Sequence, residues 1–118
     1  MTRCMILAAV ALSLFTGTGG AADAKHEGNY AVMGLGLNSC DSWTSARLTP
    51  QATLAFAEGQ WVLAFLSGVG FMGGDTGNNP LNGVDAQGVW AWIDDYCRVH
   101  PSEKIAQAAA AFTRAHPH

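Results

Sequence analysis

Cysteines are the side chains with the widest chemistry in this 118-residue chain, because a thiolate is a nucleophile and two thiols can form a disulfide. There are three, Cys4, Cys40 and Cys97. We predict that Cys40 and Cys97 pair in an oxidising compartment, which leaves no free thiol for nucleophilic catalysis. The loop between them is long, so the chain-entropy model assigns the bridge a stabilisation of roughly 4 kcal/mol.

The expectation of an oxidising compartment comes from the first 24 residues. A basic start at Arg3 precedes an apolar run over 5–15 and a small-residue A-D-A sequence ending at Ala24. This order is typical of a secretory signal, with cleavage after Ala24 or alternatively Ala22, and Cys4 would be removed with it. The other interpretation is an uncleaved N-terminal anchor. The signal predicts a periplasmic location for the mature chain.

Acidic side chains next to each other suggest acid–base chemistry or metal binding, and Asp94 and Asp95 form such a pair. Neighbouring residues on a helix point about 100° apart, so the two carboxylates cannot converge on one atom. Arg98 follows at the spacing of a surface ion pair. We interpret this group as a solvated helix face.

Metal ligation is the next chemistry to consider. The segment with Asp75, Asn78 and Asn79 has some likeness to a calcium loop, but Pro80 replaces its turn glycine and its distal glutamate is missing. Four histidines are scattered, three of them near chain ends, and they form no closed set of about four ligands. Ser67 has no preceding strand to make it a nucleophile elbow. The sequence predicts no metal, no cofactor and no enzyme activity.

Four tryptophans are unusual in so short a chain: Trp43, Trp61, Trp90 and Trp92. Core packing is the first interpretation. The second is protein recognition, since an indole at the rim beside the glycine-rich loop over 73–83 would suit a partner-binding surface. We name Trp90, Trp92, Asp75, Asn78 and Asn79 as candidate partner-binding residues.

The elements that position these residues are predicted to be helices. Residues 25–39 form an irregular arm, and Asn38 or Ser39 caps a helix over 40–47. Pro50 begins a second helix, which is apolar nearly all round from 54 to 72 and is predicted to be the buried central helix. Its run over 61–72 is too short to span a membrane, which takes roughly 20 apolar residues. A strip of small residues allows another helix to approach closely: Ala57, Ala64 and Gly68.

Two more helices follow the glycine-rich loop. Asp85 caps the third, which ends near His100 because Pro101 stops it, and Ser102 caps the fourth. The third has one apolar face, formed by Val89, Ile93, Tyr96 and Cys97. The fourth has another, formed by Ile105, Ala108, Ala109 and Phe112. The fold class is therefore all-α: a small bundle of about four helices in one domain over 40–116, closed by one disulfide.

Net charge excludes one class of partner. The formal charge is −3 and the basic residues are scattered, so the basic surface of a nucleic-acid binder is missing. The sequence does not decide the oligomeric state.

Three segments together resemble a known family. They are C-D-S-W over 40–43, W-V-L-A-F-L-S-G over 61–68, and W-I-D-D-Y-C over 92–97 with Pro101 behind it. In this order they are similar to the Rap/Tai family of small periplasmic immunity proteins, over about 40–112. Ala64 stands where such proteins often have glycine. The resemblance implies a helical protein with a cysteine pair and an exposed recognition loop, which binds and inhibits a secreted cell-wall amidase of the type VI secretion system.

Two other functions remain open. One is an acid-stress chaperone similar to the HdeA group, which is also small, periplasmic, helical and closed by one disulfide. The other is an envelope protein with an unassigned role on the same scaffold.

Overall fold

The structure is a computed structural model that describes residues 30–117. The predicted signal over 1–24, with Cys4, and the terminal His118 lie outside these residues, as does the start of the predicted arm, with His26. Within 30–117 there are four α-helices, two short 3₁₀ turns and no strand. The helices are α1 (Cys40–Leu48), α2 (Ala52–Gly73), α3 (Ala86–Val99) and α4 (Ile105–Ala115), and the 3₁₀ turns are Gly34–Leu37 and Gly74–Thr76. The all-α prediction is confirmed.

The disulfide lies at the centre of the bundle. Cys40 and Cys97 are bonded, their Cα atoms are 4.7 Å apart, and both side chains are buried. The link joins the first residue of α1 to the inner face of α3. Around it the core contains residues from all four helices: Trp43, Val62, Leu66, Val89, Ile93, Ile105, Ala108, Ala109 and Phe112.

Helix α1 begins where one of the two candidate caps predicts. The Ser39 Oγ accepts a hydrogen bond from the Ser42 N–H at 3.1 Å, which satisfies an amide that the first turn leaves open. The Cys40 N–H donates to the Glu103 carbonyl at 2.6 Å, and the Asp41 N–H donates to the Pro101 carbonyl at 3.0 Å. The start of α1 is thus fixed against the turn between α3 and α4.

Helix α2 begins two residues later than predicted, so Pro50 is not its first residue. Helix α1 continues to Leu48, and Thr49 closes it by donating its N–H and its hydroxyl to the Ser45 carbonyl. Pro50 lies in the connection between the two helices, and Gln51 takes the N-cap position of α2.

The prediction that α2 is a buried central helix is wrong. Only Glu58, Gly59, Val62 and Leu66 are buried along its 22 residues. Phe56, Phe71 and Met72 are exposed by 62%, 87% and 81%. By length and composition alone, the segment Ala52–Thr76 is apolar enough to cross a membrane, and only 22% of its most apolar 18-residue window is buried. The bundle is small, so it covers one face of α2 and leaves the other open.

Helices α3 and α4 pack as their periodicity predicts. The Asp85 Oδ1 caps α3 by accepting the Gly88 N–H at 2.8 Å. Ser102 does not cap α4, which begins at Ile105 with Lys104 as its N-cap. The physical reason is that the Ile105 N–H donates to the Asn38 carbonyl at 2.9 Å, which delays the helix until the chain has crossed the N-terminal segment.

Candidate functional site

An apolar groove lies at the C-terminal end of α2. It is open, has a volume of about 650 Å³, and its lining is mainly apolar. We call it the tip groove and define it by its lining residues: Ala64, Phe65, Gly68, Val69, Met72, Gly73 and Asn78. A Cβ added at Gly68 would meet no atom within 4 Å, so the floor of the groove is unobstructed.

Close approach to α2 does not occur at the small-residue strip, where it was predicted. Ala64 and Gly68 are exposed and Ala57 is half-buried, and within residues 30–117 no helix packs closely on Gly68. Close approach occurs instead at Gly59. A Cβ there would lie 2.8 Å from the Trp90 Nε1. The strip therefore leaves room for a group from outside the described residues.

The loop after α2 forms one edge of the tip groove. Gly77 adopts a φ of 77°, the left-handed region that glycine enters at little cost, and its N–H closes a turn on the Gly74 carbonyl. The Asn78 N–H donates to the Gly73 carbonyl at 3.1 Å. Pro80 is fully buried and anchors the far end of the loop. This fixed loop presents Asp75 as an exposed carboxylate.

The structure brings together three of the predicted partner-binding residues. Asn78 lines the tip groove, Asp75 lies in the adjoining 3₁₀ turn, and Asn79 packs its amide against Gly70 of α2. An apolar floor with a polar, acidic edge is the arrangement found where a protein surface buries a partner side chain. Sequence reasoning identified the polar edge and missed Met72, because an apolar residue on an apolar helix carries no signal of exposure.

The two other predicted partner-binding residues pack within the bundle. Trp90 is half-buried and donates its Nε1–H to the Gly59 carbonyl of α2 at 3.2 Å. Trp92 stacks on Tyr96 with ring centroids 5.4 Å apart and meets Phe112 edge-on at 5.3 Å. These contacts fix α3 against α2 and α4. A role for either indole in partner binding stays a prediction.

The remaining two tryptophans have structural partners. Trp43 is fully buried, and its Nε1–H donates to the Asp94 Oδ1 at 2.8 Å. Arg47 forms an ion pair with the same carboxylate. Trp61 covers Gly36 and donates to the Met33 carbonyl at 3.0 Å, which holds the N-terminal segment on α2.

Asp94 and Asp95 therefore have separate structural roles. Asp94 joins α1 to α3 through Trp43 and Arg47, whereas Asp95 pairs with Arg98 at 2.9 Å on the surface. The two carboxylates do not converge, as their spacing predicts. Arg98 pairs with only one of them because the other faces α1.

Glu58 is a structural residue that sequence reasoning missed. It is the only charged residue of α2, and its side chain is fully buried. Its Oε1 accepts hydrogen bonds from the Asn38 amide at 3.0 Å and the Ser42 hydroxyl at 2.8 Å, while its Oε2 has no partner among the described residues. Glu58 thus ties the N-terminal segment and α1 to α2. A lone charge in an apolar helix was the available signal.

Tyr96 has a clearly raised pKa. Burial first, and then the hydrogen bond to the Glu103 carboxylate and the negative charge of that carboxylate, together raise the pKa of its phenol from 10.0 to about 12. The phenol donates to Glu103 across the turn that precedes α4. Tyr96 therefore holds this turn as a neutral hydrogen-bond donor.

Two histidines close helix ends in the same way. The Nδ1 of His100 lies 2.8 Å from the Tyr96 carbonyl oxygen, and that of His116 lies 2.9 Å from the Phe112 carbonyl oxygen. Each imidazole also stacks on the aromatic ring four residues before it. Among the residues that the structure describes, no three His, Cys, Asp or Glu side chains are grouped so as to hold a metal ion.

Comparison with known proteins supplies no relative. No family model, no curated protein and no solved structure matches this chain. The functional proposal therefore rests on the residues and on the geometry of the tip groove.

Proposed function

We propose that this chain is a non-enzymatic, exported binding protein of the immunity type, which inhibits a secreted cell-wall amidase by binding it at the α2 tip. The tip groove carries the proposal, because it places the exposed Met72 at the end of α2, next to the loop that bears the Asp75 carboxylate. The choice of an amidase as the partner is supported by the three segments that resemble the Rap/Tai family, over 40–43, 61–68 and 92–97.

The surface chemistry of the tip suits a protein partner. Met72 is 81% exposed, and a large apolar side chain at such a position gains about 1.5–3 kcal/mol when a partner buries it fully. Methionine also adapts its shape to the surface it meets. Asp75 adds a negative charge at the edge, which favours a partner with a basic or hydrogen-bond-donating group there.

The proposal predicts an amidase gene beside the gene for this chain and a tight complex between the two products. The complex is measured by titration calorimetry with the processed chain. Met72→Glu should weaken it at least about 10-fold, because a carboxylate would be buried in the interface. Asp75→Lys should weaken it through charge reversal at the edge.

Matched controls exist for both variants. Leu48→Glu introduces the same group at a side chain that is also 81% exposed but lies at the end of α1. Asp95→Lys makes the same charge reversal on α3, where only a surface ion pair is lost. Absence of a complex with the neighbouring amidase would refute the immunity function. Equal weakening by Leu48→Glu and Met72→Glu would refute the tip as its site.

The same preparation separates the chaperone alternative. A chaperone of the acid-stress type should suppress aggregation of unrelated proteins at strongly acidic pH, whereas an immunity protein binds one partner at neutral pH. Suppression at acidic pH without amidase binding would favour the chaperone.

A further inference from the structure

The turn that leads into α3 contains a chemically reactive pair of residues. Asn82 and Gly83 are both exposed, and this is the one place in the chain where glycine follows asparagine. An asparagine side chain can react with the main-chain nitrogen of the residue after it, and glycine favours that reaction because it has no side chain to crowd its nitrogen. The pair therefore combines the required groups with access to water.

The local structure leaves the Gly83 nitrogen accessible. The Val84 N–H donates to the Leu81 carbonyl at 3.2 Å, and Gly83 has a φ of 75°, which makes residues 81–84 a type II turn. The Gly83 N–H donates to no backbone carbonyl among residues 30–117. A Cβ added at Gly83 would meet no atom within 4 Å. A local rotation of the main chain is therefore enough to bring this nitrogen to the Asn82 side chain.

We propose that Asn82 is a site of spontaneous modification, at which the side-chain amide becomes a carboxylate through a cyclic imide formed with Gly83. The Gly83 nitrogen bonds to the side-chain carbonyl carbon of Asn82, and the side-chain nitrogen leaves as ammonia with the proton from Gly83. Water then opens the imide. Opening at the side-chain carbonyl gives aspartate, whereas opening at the main-chain carbonyl gives isoaspartate, in which the main chain runs through the side-chain carboxyl.

The structure protects the other asparagines that it describes. Asn79 is exposed, but Pro80 follows it and has no N–H to react. Asn38 is half-buried, and its amide donates to the buried carboxylate of α2 at 3.0 Å. Asn78 is half-buried and precedes a residue with a side chain. Conversion should therefore be concentrated at Asn82.

The two products should affect the fold differently. Each event adds one negative charge three residues before Asp85, the N-cap of α3. A carboxylate near a helix N-terminus is favourable, so aspartate at position 82 should leave the bundle intact. Isoaspartate lengthens the main chain inside the turn and should break the hydrogen bond from Val84 to Leu81. The variant Asn82→Asp reproduces the first product and should unfold at the same temperature as the parent chain or slightly higher.

The experiment follows the processed chain during incubation in mildly alkaline buffer. Peptide mapping by mass spectrometry, with electron-transfer fragmentation to separate isoaspartate from aspartate, reports the position and the products. Both products should appear at position 82. Their rate of formation in the folded chain should lie within about 10-fold of the rate in urea, because only local opening is needed.

Matched variants complete the test. Asn82→Gln lengthens the reacting side chain by one methylene and should abolish the acidic forms, whereas Asn78→Gln makes the same change in the preceding loop and should leave their rate unchanged. Faster conversion at Asn78 or Asn38 than at Asn82, or a stronger protection by the fold than the one stated, would overturn the proposal. Aspartate without isoaspartate would overturn the imide. None of these results needs amidase binding, so this inference and the proposed function fail separately.

Discussion

Replacing either disulfide cysteine with alanine should destabilise the bundle by about 4 kcal/mol. The two cysteines are 57 positions apart, and the chain-entropy model for a loop of that length gives about 14 cal/mol/K, which is about 4 kcal/mol at 25 °C. Whole domains of this size have a stability of about 5–15 kcal/mol. One substitution should therefore remove a large fraction of the free energy of unfolding.

The assay is thermal and urea unfolding followed by circular dichroism under oxidising conditions. For a domain of 60–100 residues, 1 kcal/mol shifts Tm by about 4–8 °C, so either variant should unfold about 15–30 °C lower than the parent chain. Cys40→Ala, Cys97→Ala and the double variant form a double-mutant cycle.

The cycle isolates the bond from the packing of the two buried side chains. Because the bond can be lost only once, the double variant should be little less stable than either single variant. If the two single losses were instead small and additive, the covalent link would contribute nothing, and the reasoning from loop length would be refuted.

Four further variants, in three predictions, test the packing. Glu58→Ala should cost about 2–4 kcal/mol in urea unfolding, because it empties a fully buried site and leaves the half-buried Asn38 amide and Ser42 hydroxyl without their acceptor. An unchanged midpoint would mean that the carboxylate ties nothing together. Gly59→Ala should lower the free energy of unfolding by about 1–3 kcal/mol, since its Cβ would lie 2.8 Å from the Trp90 Nε1. Gly68→Ala on the same helix meets open space and should be neutral or stabilising, so equal effects of the two variants would contradict a close approach at Gly59. Tyr96 should ionise near pH 12 by phenolate absorbance, and Glu103→Gln should lower that pKa toward 10.0; no change in the variant would exclude the carboxylate as a cause. Because the pKa of Tyr96 is higher in the folded state, the stability that the neutral phenol contributes is complete below pH 10 and is lost as pH rises through 12.

Helices with a clear polar face were predictable from the sequence. In α3 the spacing of Val89, Ile93 and Cys97 identified the buried face, and in α4 that of Ile105 and Phe112 did the same, because polar residues fix the phase of the pattern. The disulfide was predicted from the expectation of a secretory signal, which implies an oxidising compartment and leaves only Cys40 and Cys97 to pair.

The exposed face of α2 was not predictable in the same way. Its residues are apolar on every side, so the hydrophobic pattern has no phase and gives no sign of which face the bundle covers. That choice depends on the small size of the bundle. The polar edge of the tip groove could be named from Asp75 and Asn78, whereas its apolar floor appears only once α2 and the loop are placed together.

The start of α4 depends on a contact between residues that are distant in sequence, so it could not be predicted locally. Ser102 is a reasonable cap by local propensity, but the Ile105 N–H bonds to the Asn38 carbonyl, 67 positions earlier, and the helix starts there. Local preference is a weak guide where a tertiary hydrogen bond competes with it.

Protection of one methionine from oxidation tests the tip groove most directly. Met72 and Met33 are 81% and 80% exposed, so a mild oxidant should convert both at similar rates in the free chain, as read by mass spectrometry. With a saturating amount of the amidase, Met72 should become protected while Met33 stays reactive. Protection of Met33 alone, or of neither methionine in a complex that has demonstrably formed, would contradict binding at the α2 tip.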